Sequence, residues 1–404
     1  MKVTFIQPYY SNIWESLGIG SIISYCQKNY NGNLDIYFKH ENFDKFLFST
    51  DTLYSDIIGL SCTTPTFQRG VQIAKVLKSF NPKIHIVMGG WHTTTTGENP
   101  DESVIDQIVI GEGESAFLDI LNGDRDPIIY GKMLDFKKLP WPSREIIDLN
   151  NTLNLCQKIT GGLRIGSFQS RRGCMNSCTM CGENCMTSNN IRVRDPKDVL
   201  DEIDHVRNKY NINYFKFVDP TWCYPKSYVK DFCEEYLERN KFQPWEAMCH
   251  AAYLDDEILD MLKICNCKQI NIGVESGDQK VLNAMKKGIT VQKIKKVFKY
   301  GNKIGLDMRA FFMIGFPEED EHSHELTKEL IREIKPSVFG MTILCPYPGT
   351  KYYDKEKYKN VDWSKQGEYS NSIWKTKNFS NKRLKEIQKE FNEEFKDILV
   401  GHQK

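Results

Sequence analysis

The chain has 404 residues, enough for two or three domains with separate cores. Its 54 basic and 53 acidic residues leave a formal charge of +1, which excludes a broad electrostatic footprint for nucleic acid or an anionic membrane. No apolar run approaches the length of a membrane span, and the first residues form a strand-like segment where a signal peptide would be apolar. The 13 scattered cysteines favour reduced thiols, and we expect a soluble, cytoplasmic protein.

Residues 1–136 alternate short β-rich runs with helical segments, a rhythm typical of a doubly wound parallel sheet with helices on both faces. The predicted strands are Val3–Ile6, Asp56–Cys62, Ile84–Gly90 and Ile108–Glu114. A helix is predicted from about Leu17 to Tyr30, and Phe117 is predicted to start the helix after the last of these strands.

Ligands of such sheets bind beyond the carboxyl ends of the strands. The candidate residues at those ends are Thr63, Thr64, Gly89, Gly90, His92, Gly111, Glu112 and Gly113. The glycines allow a flat ligand or a phosphate to approach the backbone closely. Glycine pairs also follow strands in plain α/β domains, so each loop taken alone leaves a purely structural role open.

Together the strings GLSCTTPT, VMGGWH and VIGEGE resemble the cobalamin-binding domain found upstream of many radical S-adenosylmethionine (SAM) enzymes. The resemblance implies that these strand ends bind cobalamin. The chain lacks the Asp-x-His-x-x-Gly loop of the mutases, because Lys83 stands where Asp would precede His85. The resembled subgroup commonly lacks this loop too. His92 is either a cobalt ligand or a hydrogen-bonding group near a turn.

Residues 137–150 read as a linker between the two halves. Pro140 and Pro142 stiffen this segment, and Trp141 between them is predicted to anchor it. The same short Pro-x-Pro linker appears in the resembled family.

Cys174, Cys178 and Cys181 follow a C-x3-C-x2-C spacing within one short loop. An iron–sulfur cube held only by protein uses four cysteines, so three thiolates leave one iron open to an outside molecule. Gly173 and Asn176 suit the unusual backbone angles of such a loop. Zinc with Cys185 as a fourth ligand, a disulfide pair and idle core thiols are the alternatives.

This loop resembles that of the radical SAM superfamily. The resemblance implies a 4Fe-4S cluster whose open iron chelates SAM and, on reduction, cleaves it to a 5′-deoxyadenosyl radical. Met180, the apolar residue next to the last cysteine, is then placed to lie against a ligand. An external electron donor of the flavodoxin or ferredoxin type is also implied.

Residues 151–350 repeat the strand–helix rhythm six times, which matches the partial (β/α)6 barrel of radical SAM enzymes. The predicted strands are Ser167–Arg172, Tyr214–Val218, Trp245–Cys249, Gln269–Glu275, Arg309–Gly315 and Val338–Leu344. Barrel chemistry belongs to the carboxyl ends of these strands.

Three of these strand ends resemble SAM-binding segments of the family. Asp219 either holds the SAM ammonium group or caps a helix. Glu275 and Ser276 lie in Gly-Val-Glu-Ser-Gly, where a carboxylate that ends an apolar run can bind ribose hydroxyls or the amino group. Ile314 and Gly315 resemble the strand whose backbone pairs with adenine.

Residues 351–404 form a Lys- and Asn-rich extension that ends in an amphipathic helix. We expect its apolar stripe to pack on the barrel. Cys265 and Cys267 lack partners at ligand spacing and are predicted to be core thiols.

The leading hypothesis is a cobalamin-dependent radical SAM methyltransferase that acts on an unactivated carbon of a small molecule or peptide. The first alternative keeps both cofactors but performs cyclisation, oxidation or rearrangement, as in the anaerobic magnesium-protoporphyrin ester cyclases of similar architecture. The second is a sensor that binds the cluster and SAM without turnover. An open iron and a SAM-facing Glu275 together favour the enzyme.

Overall fold

The computed structural model describes residues 1–11, 15–187, 189–239 and 243–400. The first sheet has six parallel strands in the order β2-β1-β3-β4-β5-β6. These strands are β1 Lys2–Gln7, β2 Asp35–His40, β3 Ile57–Ser61, β4 His85–Gly89, β5 Gln107–Ile110 and β6 Ile128–Tyr130. The helices of this half are α1 Leu17–Asn29, α2 Thr50–Leu53, α3 Phe67–Phe80, α4 Trp91–Thr96 and α5 Gly113–Leu121.

Both faces of this sheet are buried, which explains the nearly continuous apolar runs of its central strands. Phe5 packs with Ile19 of α1 and Phe117 of α5 on one face. Ile58 packs with Ile73 of α3 on the other face. The predicted doubly wound arrangement is therefore confirmed.

The sequence interpretation missed β2 and β6, the two edge strands. The exposed or half-buried residues that make up most of β2 give it no buried strand pattern, and β6 has only three residues. The start of α5 was also placed too late, since the helix begins at Gly113. Gly111 takes a φ of +85° directly after β5, so the chain turns into the helix earlier than the apolar pattern indicates.

The second sheet also has six strands, in the order β14-β13-β12-β11-β10-β7, with two short strands, β8 and β9, paired apart from it. The strands of this half are β7 Ile165–Phe168, β8 Arg171–Arg172, β9 Arg192–Val193, β10 Tyr214–Phe217, β11 Trp245–Cys249, β12 Cys267–Glu275, β13 Asp307–Ile314 and β14 Val338–Ile343. The six sheet strands are parallel, and no pairing within the described ranges joins β14 to β7. The sheet is thus an open, partial barrel, as predicted.

Helices alternate with the barrel strands, and the longer ones cover the outside of the sheet. They are α6 Leu149–Thr160, α7 Glu183–Thr187, α8 Pro196–Tyr210, α9 Lys226–Glu238, α10 Asp256–Ile264, α11 Gln279–Ala284, α12 Val291–Lys303, α13 Glu321–Ile334, α14 Lys355–Tyr358 and α15 Asn381–Glu394. Short 3₁₀-helices lie at Phe136–Lys138, Ala251–Tyr253, Trp363–Lys365 and Lys396–Ile398.

One predicted barrel strand, Ser167–Arg172, is divided in the structure. The chain leaves the sheet after Phe168 and pairs again at Arg171 with β9 in an antiparallel hairpin. Ser170 marks the break, because its N–H and hydroxyl both donate to the Asp219 carboxylate. The hairpin carries the chain from the barrel into the cysteine loop.

The C-terminal extension packs on the barrel as expected. Leu384, Ile387 and Phe391 of α15 are buried in the barrel core, and Gln388 Nε2 donates to the carbonyl of Met341 in β14 at 2.9 Å. Residues 401–404 of the predicted extension lie outside the described residues. Cys265 and Cys267 are buried core thiols. In the described part of the chain, no helix combines the length and the apolar character that a bilayer span requires.

Candidate functional site

The three motif cysteines lie on one loop between β8 and α7, at the carboxyl end of the barrel. Gly173 opens the loop with a φ of +97°, and a Cβ there would lie 2.1 Å from the Asn190 carbonyl oxygen. Only glycine fits this position. Asn176, unlike Gly173, has no positive φ. Its side chain accepts from Tyr253 Oη at 3.0 Å and donates to Cys174 Sγ at 3.6 Å.

The middle of the cysteine loop is tied to the barrel by its backbone. Thr179 N–H donates to the Met285 carbonyl and Thr179 C=O accepts from Lys351 N–H, both at 2.9 Å. Thr179 Oγ1 also lies 2.9 Å from Tyr352 Oη. Met180 is half-buried against the barrel core. These contacts fix the loop against the ends of the barrel strands.

The thiols themselves are a soft donor set of the kind that iron–sulfur clusters use. Burial raises the pKa of Cys178 to about 11, and the nearby Lys287 ammonium opposes that rise. Burial also raises the pKa of Cys181. No group of three or more His, Cys, Asp and Glu side chains in the described ranges is already arranged around a metal position. Three thiols on one anchored loop nonetheless fit a cluster with three protein ligands.

Cys185, which would be the fourth ligand in the zinc alternative, forms a hydrogen bond with a backbone carbonyl. Its thiol lies 3.6 Å from the Gly349 carbonyl oxygen, which accepts its hydrogen bond. A Cβ built on Gly349 would lie 3.1 Å from the same sulfur. This contact ties the start of α7 to the segment after β14 and argues against four converging cysteines.

Asp219, at the end of β10, is 1% exposed. Its carboxylate accepts from Ser170 N–H at 2.9 Å and from Arg171 N–H at 3.1 Å. Burial raises the pKa of Asp219, while the Arg171 guanidinium opposes the rise. Asp219 caps no helix, since α9 begins only at Lys226. Its bonds join β10 to the start of the cysteine loop and favour a positioning role over direct contact with a ligand.

Glu275 ends β12 in a conformation that is rare for a residue with a side chain. Its φ is +69°, and the pairing register with β13 shifts between Gly273 and Glu275. Such left-handed, bulged positions recur where a side chain must be aimed at a ligand. The carboxylate oxygen Oε1 lies 2.6 Å from Lys287 Nζ, and both side chains are almost fully buried.

The sequence interpretation missed Lys287. Burial alone would lower its pKa, but Glu275 and the cysteines Cys178 and Cys181 raise the pKa above its ordinary value. Its only sequence signal is a Lys-Lys-Gly string, which reads as a turn. The pair places a carboxylate and an ammonium group side by side next to the cysteine loop.

The other residues predicted to bind SAM form hydrogen bonds within the protein. Ser276 is buried, and its hydroxyl accepts from Asp278 N–H at 3.1 Å. The carbonyl of Ile314 accepts from Leu344 N–H at 2.9 Å. Gly315 donates its N–H to Glu319 at 2.6 Å and accepts from Trp374 Nε1 at 2.7 Å. The Gly315 backbone is therefore held by the barrel and by the C-terminal extension.

In the N-terminal half, His92 is part of a buried stack. Its ring lies parallel to Phe67 with centroids 3.7 Å apart, and Nδ1 lies 3.4 Å from Thr64 Oγ1. Burial lowers the pKa of His92 to about 4. These surroundings fit a hydrogen-bonding role for His92 better than the alternative role as a cobalt ligand. Thr63 and Gly89 remain partly exposed at the ends of β3 and β4.

The loop after β5 meets the cysteine-loop hairpin. Glu112 forms an ion pair with Arg172 at 3.0 Å and a second one with Arg192. Glu114 pairs with Arg172 at 2.6 Å. The sequence interpretation assigned Glu112 to ligand binding and did not foresee these partners, which are more than 55 residues away. Gly111 and Gly113 flank this contact at the same strand end.

A second contact brings the β4 loop to the cysteine loop. Helix α4 follows Gly89 and Gly90, and α7 follows Cys181. A Cβ built on Gly182 would lie 3.7 Å from the Trp91 ring and 4.0 Å from Thr95 Cγ2. The predicted cobalamin loops and the predicted cluster loop therefore face each other across one interface.

Comparisons with known proteins agree with this arrangement. The Radical SAM superfamily model matches residues 169–331, and the B12 binding domain model matches residues 9–121. An uncharacterised methyltransferase of Pyrococcus horikoshii is 25% identical over 82% of this chain and 76% of its own length. The anaerobic magnesium-protoporphyrin IX monomethyl ester cyclase of Rubrivivax gelatinosus is 23% identical over 90% of this chain and 72% of its own.

Among solved structures, the radical SAM methyltransferase TsrM from Kitasatospora setae, with cobalamin and a 4Fe-4S cluster bound, superposes with a TM-score of 0.71. The two proteins share 15% identity, and the match covers 88% of this chain and 74% of that one. This likeness confirms the fold. The chain therefore carries a radical SAM domain and a B12 binding domain, and these domains imply a 4Fe-4S cluster, SAM and cobalamin as its cofactors.

Proposed function

We propose that this enzyme methylates an unactivated carbon of a small molecule or peptide. The observation that carries the proposal is the interface at which α4, beyond the β4 loop of the B12 binding domain, packs on α7, beyond Cys181. Methyl transfer from cobalamin to a substrate radical requires the two cofactors to meet at one substrate. The similarity to the P. horikoshii methyltransferase supports this choice of reaction.

Each part of the cluster side has a proposed role. Cys174, Cys178 and Cys181 would hold the cluster, and Thr179 and Asp219 would position their loop. The Glu275–Lys287 pair offers a carboxylate for an ammonium group or hydroxyls and an ammonium for a carboxylate, which complements the zwitterionic amino-acid end of SAM. When bound, the cluster with SAM supplies a radical that removes hydrogen, and cobalamin supplies the methyl group.

On the cobalamin side, Thr63, Thr64, Gly89, Gly90, Gly111 and Gly113 are proposed to contact the cofactor. The buried stack of His92 on Phe67 supports a cobalamin bound without a histidine ligand from this position. Glu112 is proposed to act through Arg172 and Arg192, because both of its oxygens are already bound to them. Its role is then to fix the distance between the two cofactor sites.

The reaction needs an electron for the cluster, and a flavodoxin- or ferredoxin-type donor in the cytoplasm is the proposed source. The neutral overall charge places no restriction on the substrate class.

Cyclisation or oxidation without methyl transfer is the second candidate. It is favoured by one observation, the similarity to the R. gelatinosus cyclase over 90% of this chain. Both reactions would use the same cofactors and begin with the same hydrogen removal.

One experiment separates the two candidates. Protein reconstituted without oxygen is mixed with SAM, reductant and cobalamin, and 5′-deoxyadenosine and S-adenosylhomocysteine are quantified by mass spectrometry. Methyl transfer predicts both products, with S-adenosylhomocysteine dependent on cobalamin. Deoxyadenosine alone would favour the cyclase-type reaction, and the absence of both would contradict either one.

A further inference from the structure

The C-terminal extension brings one tryptophan side chain to the end of β13. Trp374 is buried, and its Nε1–H donates to the Gly315 carbonyl at 2.7 Å. Gly315 has a φ of +96°, and a Cβ at this position would lie 3.1 Å from Trp374 Nε1. Because Gly315 has no side chain, the indole can lie directly against the strand end.

The backbone of Trp374 is fixed on both sides. Its N–H donates to Asn371 Oδ1 at 3.2 Å, and its carbonyl accepts from Asn381 Nδ2 at 3.0 Å. Asn371 is itself buried, and its amide donates to the Leu344 carbonyl beyond β14 at 3.2 Å. The indole that binds the Gly315 carbonyl therefore has one defined position relative to the barrel.

Tyr352 connects this tryptophan to the cysteine loop. Its ring meets the Trp374 ring edge to face, with centroids 5.6 Å apart. Its hydroxyl lies 2.9 Å from Thr179 Oγ1, in the middle of the cysteine loop. Its ring also meets the Phe316 ring edge to face, with centroids 5.9 Å apart. Tyr352 thus contacts the cysteine loop, the rest of the extension and the end of β13.

Tyr352 and Trp374 together form what we call the aromatic link, which runs from Thr179 to Gly315. Both ends of the link lie at segments predicted to bind cofactors. The cysteine loop is predicted to hold the cluster that SAM chelates, and the end of β13 is predicted to meet the adenine of SAM. Simultaneous contact of SAM with both segments requires one particular spacing between them.

We propose that Tyr352 and Trp374 are positioning residues for SAM, which set the spacing between the cysteine loop and the end of β13. They act through Thr179 and Gly315, to which they are hydrogen-bonded. The inference rests on the proposed function in one respect, that SAM binds between these two segments. It goes beyond that function because it assigns part of the C-terminal extension to cofactor binding.

The test measures the affinity for SAM of conservative variants in the full-length, cluster- and cobalamin-loaded protein. Trp374→Phe keeps an aromatic ring but removes the Nε1–H, and Tyr352→Phe removes only the hydroxyl. We expect each variant to raise the Kd for SAM about fivefold with unchanged iron content, because one hydrogen bond is lost at an end of the link. Equilibrium dialysis gives the Kd, and the change that SAM causes in the electron paramagnetic resonance spectrum of the reduced cluster is titrated as a second readout.

Two other aromatic residues of the extension supply matched controls. Trp363 and Tyr353 pack against each other in a separate apolar cluster, with ring centroids 6.3 Å apart. Trp363→Phe and Tyr353→Phe make the same chemical changes there and should bind SAM as the wild type does. The Tm of every variant is measured as well. A lower Tm with an unchanged Kd in Trp374→Phe would assign this residue a purely structural role and overturn the inference.

A double-mutant cycle tests whether the two residues act as one unit. If the link is a single connection, the double variant should raise the Kd for SAM about as much as either single variant. Independent contributions would multiply to about twenty-fivefold and would overturn the coupling, as would an effect in only one single variant. Unchanged affinity in both single variants would overturn the whole inference.

The outcome can be separated from that of the proposed function. Glu275→Gln, measured in parallel, tests whether SAM binds at these strand ends, and S-adenosylhomocysteine formation by the wild type tests methyl transfer. Weaker binding in Glu275→Gln with unchanged binding in Trp374→Phe would overturn this inference alone. Weaker binding in Trp374→Phe and Tyr352→Phe of a protein that forms no S-adenosylhomocysteine would support the link and contradict methyl transfer.

Discussion

The three motif thiols differ in their surroundings although they belong to one loop. Cys178 is enclosed beside Lys287, Cys174 accepts a weak hydrogen bond from Asn176, and Cys181 Sγ accepts from Glu183 N–H at 3.5 Å. A cluster with three protein ligands would satisfy all three as thiolates. None of them has a substitute in the loop, because Cys185 is bonded to Gly349.

Replacing Cys178 by Ala should therefore remove the cluster. We expect iron content to fall to background and 5′-deoxyadenosine formation to be lost, as measured by iron analysis and mass spectrometry. Cys185→Ala is the control and should keep its iron. Loss of iron from that control would restore the four-cysteine zinc interpretation.

Glu275 is the residue at which backbone conformation and charge both point to a ligand. Replacing it by Gln removes the charge that Lys287 needs and leaves the cysteine loop untouched. We expect the Kd for SAM to rise about tenfold or more with unchanged iron content, since a charge-assisted contact is lost. Equilibrium binding of SAM is the measurement, and Glu325→Gln, at an exposed site on α13, is the control. Unchanged affinity would contradict the assigned role.

At the level of elements, the β8–β9 hairpin joins the B12 binding domain to the proposed cluster loop. It leads into the cysteine loop, and its Arg172 and Arg192 bind the loop after β5 through Glu112 and Glu114. All four side chains are largely buried, so this contact excludes water and holds one geometry.

The double variant Glu112→Gln, Glu114→Gln should separate radical formation from methyl transfer. We expect deoxyadenosine formation to persist while transfer of the methyl group to substrate falls by up to about a hundredfold, because small misplacements of reacting groups are costly. The ratio of methylated product to deoxyadenosine is the readout. Glu98→Gln, which breaks an exposed ion pair with Lys355 between the same two halves, is the control. An equal fall of both products would point to general disruption.

Glu114 also gives the interface a defined response to pH. Burial alone would raise the pKa of Glu114, but Arg172 holds the pKa below its usual range. A carboxyl group with a lowered folded-state pKa stabilises the protein above its unfolded pKa of about 4.3, and the stabilisation is lost as pH falls through the folded value. The difference in Tm between wild type and Glu114→Gln should therefore be constant near neutral pH and shrink on acidification below about pH 4. A difference that grew on acidification would contradict this assignment.

At the level of the whole molecule, a buried charge network holds the two halves and the linker together. Arg144 of the linker pairs with Glu15 of the N-terminal half at 2.8 Å and with Glu202 of α8, and it donates to the Ser167 carbonyl at 2.7 Å. Trp141 Nε1, also in the linker, donates to Asp198 at 2.9 Å. The anchoring role predicted for Trp141 is therefore present. Arg144 makes more of these polar contacts than Trp141 does.

Arg144→Met should destabilise the protein strongly. It leaves Glu15 and Glu202 buried without their common partner, and breaking such pairs typically costs about 3–5 kcal/mol. We expect a lower Tm and a lower denaturant midpoint, followed by circular dichroism. Lys209→Met, which removes an exposed ion pair with Glu145, is the control and should show no measurable change. An unchanged midpoint in Arg144→Met would mean that the halves are held by apolar packing alone.

The sequence by itself determined the fold class, the order of the two cofactor domains and the cysteine loop. These features depend on short-range patterns: alternating β and α periodicity, glycines after strands and the spacing of Cys174, Cys178 and Cys181. Such patterns are visible because neighbouring residues share one local structure. The edge strands β2 and β6 escaped detection because their edge positions give them few buried residues.

Only the tertiary structure decided which charges meet. Lys287 as the partner of Glu275 and Arg172 as the partner of Glu112 and Glu114 both join residues from different elements. No local periodicity encodes such contacts, because they depend on how strands and helices pack across the interface. Buried charges must nevertheless find partners, and that requirement makes these long-range pairs specific once the fold has formed.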